Sequence, residues 1–259
     1  MKAFRKQVIE TINEKSVDYK GFSHPTLFHE LLNSSLPTSE KTVRRLTDEA
    51  RTIVIAGSET VAWTLTVAGY HLLSNPQILR TLKTELAKAI PDPDVSTSRT
   101  TLEQLPYLNA VVKEALRLSY GVCTRLQRVP HEPLPFQDWI ISAGAPVGMT
   151  STLLHDESVF PNSKEFKPER WIEDPRLDRY LFSLSKGSKQ CVGMNLAYAE
   201  MYLWISSVFR RFGSKEVRFE TDESVFELVD TGIEDVENAS DCFIPLAKGS
   251  KGVRIRVLP

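Results

Sequence analysis

The sequence predicts a mainly α-helical protein with a small β-sheet. Up to Gly121, apolar residues recur at helical spacing between proline-containing breakers. Beyond Gly121, short apolar runs with strand-like alternation replace that spacing. One more helical run follows, and the chain ends in strand-like pieces.

Four helices are expected before Gly121, because Pro and Asn residues mark their starts and stops. The predicted helices and their boundaries are a short amphipathic one over Pro25–Asn33, a long one that starts at Pro37-Thr38-Ser39 and runs to Leu73 before Asn75-Pro76, one from Pro76 to Ile90 before Pro91-Asp92-Pro93, and one from Leu105 to Ser119.

The second half of the chain is expected to hold the strands and the last helix. A turn at Ala143-Gly144 separates two of the strands, and a Pro-rich irregular stretch covers Phe160–Pro175. The last helix is predicted from Cys191 to Arg211. The predicted strands are Arg125–Val129, Trp139–Ile141, Pro146–Thr150, Val217–Phe219 and Val253–Val257.

Composition narrows the class of partner. The chain has 259 residues, with 32 basic and 33 acidic side chains, and a net charge of -1. This balance does not favour nucleic acid or an acidic membrane surface, so a small soluble ligand or another protein fits better. The three cysteines are far apart and odd in number, which favours a reducing compartment over a disulfide framework or a zinc site.

One segment has the length of a membrane span. Ile53–Leu73 is almost free of charge, but Glu59 and several hydroxyl side chains interrupt it. A long helix buried inside a protein is therefore the preferred interpretation. The segment Met1–Glu10 mixes charged and apolar residues, which leaves no room for a signal-peptide core or an anchor. We expect no membrane span in this chain.

A cysteine stands where a loop leads into the last predicted helix. Unpaired N–H groups and the positive end of the helix dipole favour the thiolate of Cys191, the form that binds metal. Gly187 permits a tight turn before it, and Gly193 leaves room beside it for something flat and bulky. The alternative from the residues alone is a buried structural cysteine.

The long helix carries a second unusual sequence, Ala56-Gly57-Ser58-Glu59-Thr60. Glycine inside a helix costs about 1 kcal/mol, so another interaction must compensate. Small Ala56 and Gly57 would let a ligand lie against the backbone, and the Thr60 hydroxyl can bond to the carbonyl of Ala56. The alternative is a helix-packing glycine beside a solvated Glu59.

Glu114 and Arg117 lie on one face of their helix because they are three residues apart. Such pairs are commonly exposed and weak, which is the alternative here. A helical wheel, however, surrounds Glu114 with apolar residues, so the helix looks enclosed. An enclosed pair needs a further partner, and Arg170 in Pro168-Glu169-Arg170-Trp171 is the candidate to share the carboxylate.

These motifs, in this order, resemble the cytochrome P450 superfamily. The pattern also includes Leu184-x-x-Gly187-x-Lys189-x-Cys191-x-Gly193, and the resemblance runs from about Pro25 to the C-terminus. The segments His24–Ser34 and Cys191–Glu200 look like filamentous-fungal members of secondary metabolism, including trichodiene-oxygenase-like enzymes. The resemblance implies the C-terminal half of the cytochrome P450 fold, as a single partial domain over residues 1–259 without the N-terminal half.

The resemblance implies a haem b cofactor and a role for each matching residue. Cys191 would be the axial thiolate of the haem iron. Glu59 and Thr60 would deliver protons during oxygen activation on the opposite face of the haem. The remaining implied roles are an oxygen-binding groove at Ala56 and Gly57, propionate binding by Arg128 and Lys189, and a structural triad of Glu114, Arg117 and Arg170.

The implied reaction inserts one atom of O2 into a small, hydrophobic, terpenoid-like secondary metabolite. Electrons would come from NADPH through a flavoprotein reductase. Members of the family are usually anchored to the endoplasmic reticulum by an N-terminal segment, which is not expected in this chain. Two alternatives stay open, a truncated non-catalytic remnant and a haem-free interaction module.

Three residues depart from the family pattern. Leu184 replaces the usual Phe, Lys189 replaces the usual Arg and so loses the bidentate fork, and Val61 follows Thr60 where Thr or Ser is usual. Together these departures predict a loosened haem site.

Overall fold

The computed structural model describes residues 2–13, 26–249 and 251–259, so Met1, His24 and Pro25 of the predicted segments lie outside the described residues. The chain divides into two units, Met1–Glu59 and Thr60–Pro259. The expected single partial domain over residues 1–259 stays a prediction.

The first unit is helical in its described part. It contains helix α1 (Lys2–Asn13), helix α2 (Leu27–Asn33), a 3₁₀ turn (Thr38–Lys41) and the first residues of helix α3 (Val43–Ser74). The prediction of a helix ending at Asn33 is confirmed. The predicted long helix is confirmed at its C-terminal end, but at its start the 3₁₀ turn precedes Val43.

The second unit holds the rest of α3 and the remaining helices. These are α4 (Pro76–Ala89), α5 (Arg99–Leu102), α6 (Pro106–Leu118), α7 (Glu169–Glu173) and α8 (Met194–Arg211). Pro76 and Pro106 stand at helix starts, where a missing N–H costs nothing. The predictions for α4, α6 and α8 are confirmed to within three residues.

The described residues form three small sheets rather than one. The strands are β1 (Leu134–Phe136), β2 (Trp139–Ile141), β3 (Phe212–Ser214), β4 (Ser224–Leu228), β5 (Asn238–Cys242), β6 (Ile244–Ala247) and β7 (Ile255–Leu258). β1 pairs with β2, and β5 with β6, both antiparallel. β4 lies between β3, its parallel neighbour, and β7, its antiparallel neighbour.

The strand predictions were partly wrong. Trp139–Ile141 is confirmed, but Arg125–Val129 and Pro146–Thr150 meet only at one bridge, where Arg128 and Val147 exchange hydrogen bonds of 2.7 and 2.8 Å. Proline, which has no N–H to donate, follows the first segment and begins the second. The predicted strand Val217–Phe219 does not form: Val217 ends a turn in which its N–H donates to the Ser214 carbonyl at 3.2 Å, and Arg218 and Phe219 have no regular secondary structure.

Four helices supply the core of the second unit. Apolar side chains of α4, α6 and α8 pack together with the C-terminal part of α3. A buried ammonium group, that of Lys83, joins α4 to the end of α8 and to the segment before β4: it donates to the carbonyls of Phe209 and Phe212 and, at 2.7 Å, to the Asp222 carboxylate. Core residues include Val67, Leu72, Leu79, Leu82, Leu86, Leu108, Val111, Ala115, Met201, Ile205 and Phe209.

The prediction that the long helix is buried is right only for its C-terminal part. Residues 51–59 of α3 are exposed, and Ile53, Val54 and Ile55 expose 46%, 43% and 52% of their surface. By length and composition, Val43–Ser74 is the one helix among the described residues that qualifies as a possible membrane span. The sequence pattern marked this stretch as apolar, but no packing in the described residues covers it.

Two glycines give a matched test of how tightly the end of α6 packs. Both Gly121 and Gly144 have a left-handed backbone, but an added Cβ at Gly121 would lie 2.4 Å from the Ser183 carbonyl oxygen, and at Gly144 it would meet nothing within 4 Å. We expect Gly144→Ala to lower the free energy of unfolding by about 1 kcal/mol and Gly121→Ala by at least about 3 kcal/mol. Urea titration of both variants measures the difference, and equal losses would contradict the packing described.

Candidate functional site

Cys191 lies three residues ahead of the first residue of α8. Its N–H donates to the Leu184 carbonyl at 2.8 Å, and its own carbonyl accepts the N–H of Met194 at 3.4 Å. A left-handed Gly187, with φ of 73°, turns the chain into the short 3₁₀ turn that precedes the cysteine. The half-buried Cys191 therefore lies just before the N-terminus of a helix, the end that carries the positive pole of the helix dipole.

The space beside the thiol is open and apolar. A Cβ added to Gly193 would have only the Cys191 Sγ atom near it, at 4.0 Å. Val192 is fully exposed, and Leu196, in the first turn of α8, exposes 61% of its surface. Exposed apolar side chains around a single thiol suit a ligand that is flat, apolar and metal-containing.

The described residues hold no cluster of three or more His, Cys, Asp or Glu side chains that could bind a bare metal ion. A single thiolate is, however, enough to hold a haem, because the porphyrin itself supplies four nitrogen ligands to the iron. The donor set of this loop therefore fits haem and does not resemble a zinc or calcium centre.

The two predicted propionate-binding cations differ in their surroundings. The Arg128 guanidinium reaches the cysteine loop, with Nη2 lying 3.5 Å from the Ser185 hydroxyl, and also donates to the Gln127 carbonyl at 3.2 Å. Lys189 lies on the 3₁₀ turn just before Cys191 and is exposed. Lys189 therefore lies on the loop and Arg128 contacts it, both at the protein surface. Their role toward a haem stays a proposal.

The helix motif is divided between the two units. Ala56, Gly57 and Glu59 lie in the exposed part of α3, and a Cβ added to Gly57 would meet nothing within 4 Å. Thr60 is half-buried and opens the second unit. The helix is continuous through the motif. The predicted position of these four residues across a haem from Cys191 stays a prediction.

The structure brings Glu114, Arg117 and Arg170 together around one buried carboxylate. Arg117 binds Glu114 through two hydrogen bonds of 3.0 and 2.8 Å, and Arg170 Nε lies 3.1 Å from Glu114 Oε1. The side chains of Glu114 and Arg117 are 0% exposed, so the alternative of a weak surface pair is excluded.

One carboxylate cannot neutralise two guanidinium groups, so the remaining N–H groups need neutral acceptors. Backbone carbonyls supply them. Arg117 donates to the carbonyls of Leu154, Ser163 and Glu165, and Arg170 donates to those of Pro161 and Asn162. The two arginines thereby hold the irregular segment between Leu154 and Glu165 against α6.

Sequence reasoning missed two further donors to Glu114. Trp171 Nε1 donates to Oε2 at 2.8 Å, and the Lys167 backbone N–H donates to Oε1 at 2.9 Å. The tryptophan was visible in the sequence as the last residue of Pro168-Glu169-Arg170-Trp171, and a buried indole needs an acceptor. The Lys167 amide carried no such sign, because any residue provides a backbone N–H.

His71 connects α3 to this cluster. Its ring stacks on Phe166, with ring centroids 4.9 Å apart. The two sequence neighbours of Phe166 bind the cluster: the Glu165 carbonyl accepts from Arg117, and the Lys167 N–H donates to Glu114. Burial lowers the pKa of His71 to about 4, although the Glu114 carboxylate opposes the shift. Burial and the charge of Arg117 likewise lower the pKa of His155 to about 4.

Comparison with solved structures defines the class of fold. The crystal structure of the cytochrome P450 CYP102L1 aligns with a TM-score of 0.74, covering 99% of this chain and 55% of that one. The sequences are 19% identical, so this likeness shows the fold. A family profile described as Cytochrome P450 matches residues 1–233. The chain belongs to the cytochrome P450 family, as the motifs predicted.

Curated relatives narrow the group to fungal members. The cytochrome P450 monooxygenase tpcC of Cochliobolus heterostrophus is 44% identical, over 98% of this chain and 50% of that protein. The tryptophan 6-hydroxylase fscE of Fusarium equiseti is 43% identical, over 95% of this chain and 47% of that protein. The N-acetyltryptophan 6-hydroxylase ivoC of Emericella nidulans is 42% identical, over 90% and 45%. The chain spans about half the length of the curated relatives it matches.

The buried carboxylate should carry a large share of the stability of the second unit. We expect Glu114→Gln to lower the free energy of unfolding by about 3–5 kcal/mol, because it leaves two buried cations without a counter-charge. Lys113→Gln on the same helix is the control, since its ion pair with Asp178 is near the surface and worth under about 1 kcal/mol. Urea unfolding of both variants would contradict this assignment if they lost equal stability.

Buried His71 and half-buried His155, both with lowered pKa values, predict acid sensitivity. The unfolded chain, with ordinary histidine pKa values of 6.5, binds protons that the folded state rejects until about pH 4. The contribution of these two histidines to the free energy of unfolding is therefore fully present above about pH 6.5, and it is lost as the pH decreases toward about 4. Chemical unfolding across this range should show a smaller fall in His71→Gln than in the parent. Substitution of the exposed His131 by Gln should leave the fall unchanged.

Proposed function

We propose that this chain carries the haem-ligating half of a fungal monooxygenase, with Cys191 as the axial ligand. The observation that carries the proposal is the thiol at the start of α8, with the open side of Gly193 and the fully exposed Val192 beside it. The proposed oxygen-side residues are supported by the sequence motif.

Within this proposal, each residue near the cofactor has a physical task. Cys191 would hold the iron through its thiolate, and Arg128 and Lys189 would bind the propionates through charge-assisted hydrogen bonds. Haem supplies the oxygen and electron chemistry when bound. Ala56 and Gly57 would leave space against α3, and the Glu59 carboxyl and Thr60 hydroxyl would transfer protons there.

The substrate is proposed to be a small organic secondary metabolite. The sequence resemblance favours a terpenoid-like compound. Two relatives that are 42% and 43% identical bear the names of tryptophan and N-acetyltryptophan hydroxylases, which makes an indole the second candidate. Electrons are proposed to come from NADPH through a flavoprotein reductase, as the family resemblance implies.

A second candidate function is a haem-free interaction module. The exposed apolar residues Ile53, Val54 and Ile55 favour it, since contiguous apolar surface commonly marks a binding face. The axial-ligand proposal and this alternative differ in one property, whether the chain binds haem through Cys191.

The test is the reduced carbon-monoxide difference spectrum of the chain after haem reconstitution. We expect the band of a thiolate-ligated haem in the parent and its complete loss in Cys191→Ala, because that variant lacks the thiol proposed to bind the iron. Cys242→Ala is the matched control, since Cys242 is exposed and lies on β5. It should retain the band.

Two outcomes would overturn the axial-ligand proposal. One is a parent chain that binds no haem at saturating concentration, which would favour the interaction module. The other is a thiolate band that survives in Cys191→Ala, which would place the ligand elsewhere.

A further inference from the structure

A buried hydroxyl network joins α3 to the last turn of α6. Thr64 Oγ1 lies 3.0 Å from Ser119 Oγ, and these residues are 5% and 0% exposed. Ser119 Oγ donates to the Leu116 carbonyl at 3.1 Å. The Trp63 indole adds a second connection by donating to the Ser119 carbonyl at 3.2 Å. Two consecutive residues of α3 are thus bound to one residue at the end of α6.

The same carbonyl of Leu116 also binds the segment that leads to the cysteine. Ser183 Oγ donates to it at 2.6 Å. Backbone packing reinforces this contact, because Gly121 lies so close to the Ser183 carbonyl that no side chain fits there. Leu184 follows directly, and its carbonyl accepts the Cys191 N–H at 2.8 Å. The end of α6 therefore contacts the cysteine loop as well as α3.

The protons in the network are fewer than its contacts. Thr64 Oγ1 also lies 3.0 Å from the Thr60 carbonyl, but a hydroxyl has only one hydrogen to donate. In one arrangement, the Ser119 hydroxyl donates its hydrogen to the Leu116 carbonyl and accepts the hydrogen of the Thr64 hydroxyl, so the Thr60 carbonyl receives none from Thr64. In the other, the Thr64 hydroxyl donates to the Thr60 carbonyl and accepts from Ser119, so the Leu116 carbonyl accepts only from Ser183. The proton arrangement at Thr60 thus depends on that at Leu116.

We infer that Thr64 and Ser119 are positioning residues that set the Cys191 loop relative to α3 at Thr60. Neither residue is placed here in contact with a substrate or a cofactor. Their action runs through Leu116 and Ser183. The catalytic meaning of this inference rests on the proposed function, but the coupling itself is a property of the protein without haem.

Amide hydrogen exchange of the chain without haem tests the coupling. Thr64→Val keeps the shape of the side chain and removes its hydroxyl. We expect exchange in residues 182–191 to accelerate about fivefold, the effect of losing one hydrogen bond, although the substitution lies on α3. Exchange in α4 should change less. Thr64→Ser, which restores a hydroxyl, should return the loop to the parent rate.

Thr66→Val is the matched control. Its hydroxyl donates to the Ala62 carbonyl at 2.8 Å in the same i to i−4 pattern, but this bond lies at the surface. It should leave exchange in residues 182–191 unchanged. Ser183→Ala removes the opposite end of the network at a half-buried site, and it should accelerate exchange around Thr64 in α3 even if Thr64→Val fails to fold.

Two results would overturn the inference. Uniform acceleration throughout the second unit in Thr64→Val and Ser183→Ala would show a general loss of stability. Unchanged exchange in residues 182–191 of Thr64→Val, together with unchanged exchange around Thr64 in Ser183→Ala, would show that there is no coupling. Haem titration separates this outcome from failure of the proposed function. If the chain binds no haem but shows the local acceleration, the coupling is supported and the proposed function fails. If the chain binds haem through Cys191 but shows no local acceleration, the proposed function is supported and the coupling fails.

Discussion

The interaction on which the second unit most depends is the one between the Glu114 carboxylate and the guanidinium groups of Arg117 and Arg170. All three groups are removed from water, so each would be costly without the others. The carboxylate aligns the arginines, and their remaining N–H groups bind carbonyls of an irregular segment that has no ladder of its own. A single buried charge thereby gives order to a stretch of chain that neither helix nor sheet could hold.

The Glu114 cluster also helps to fix the cysteine loop, although it does not contact that loop directly. The held segment leads through α7 to Ser183, which is bound to the end of α6, and then to the loop that presents Cys191. The thiol is therefore displayed by a short helix-initiating turn whose two flanks are fixed by α6 and α8. A ligand atom held in this way is preoriented, which is what a metal-binding thiolate requires.

The helices were predictable because their boundaries are local. Pro76 and Pro106 mark starts that do not depend on the rest of the fold. The strands were predicted less well, since β3 has only three residues and its sheet is completed by β7, which comes from a later part of the chain. The Glu114 cluster could be anticipated because an apolar helical wheel surrounded a charged pair. The contact between Thr64 and Ser119 could not, because nothing local relates two hydroxyl groups 55 residues apart.

The sequence by itself was enough to place Cys191 at the start of a helix after a glycine turn. It was also enough to identify the cytochrome P450 family, because the order of the motifs is a property of the sequence. Packing alone determined the rest. It buried Glu114 completely, lowered the pKa of His71, and left the apolar residues Ile53, Val54 and Ile55 of α3 exposed. Burial depends on which distant segments come together in space, and periodicity reports only which face of an element is suited to it.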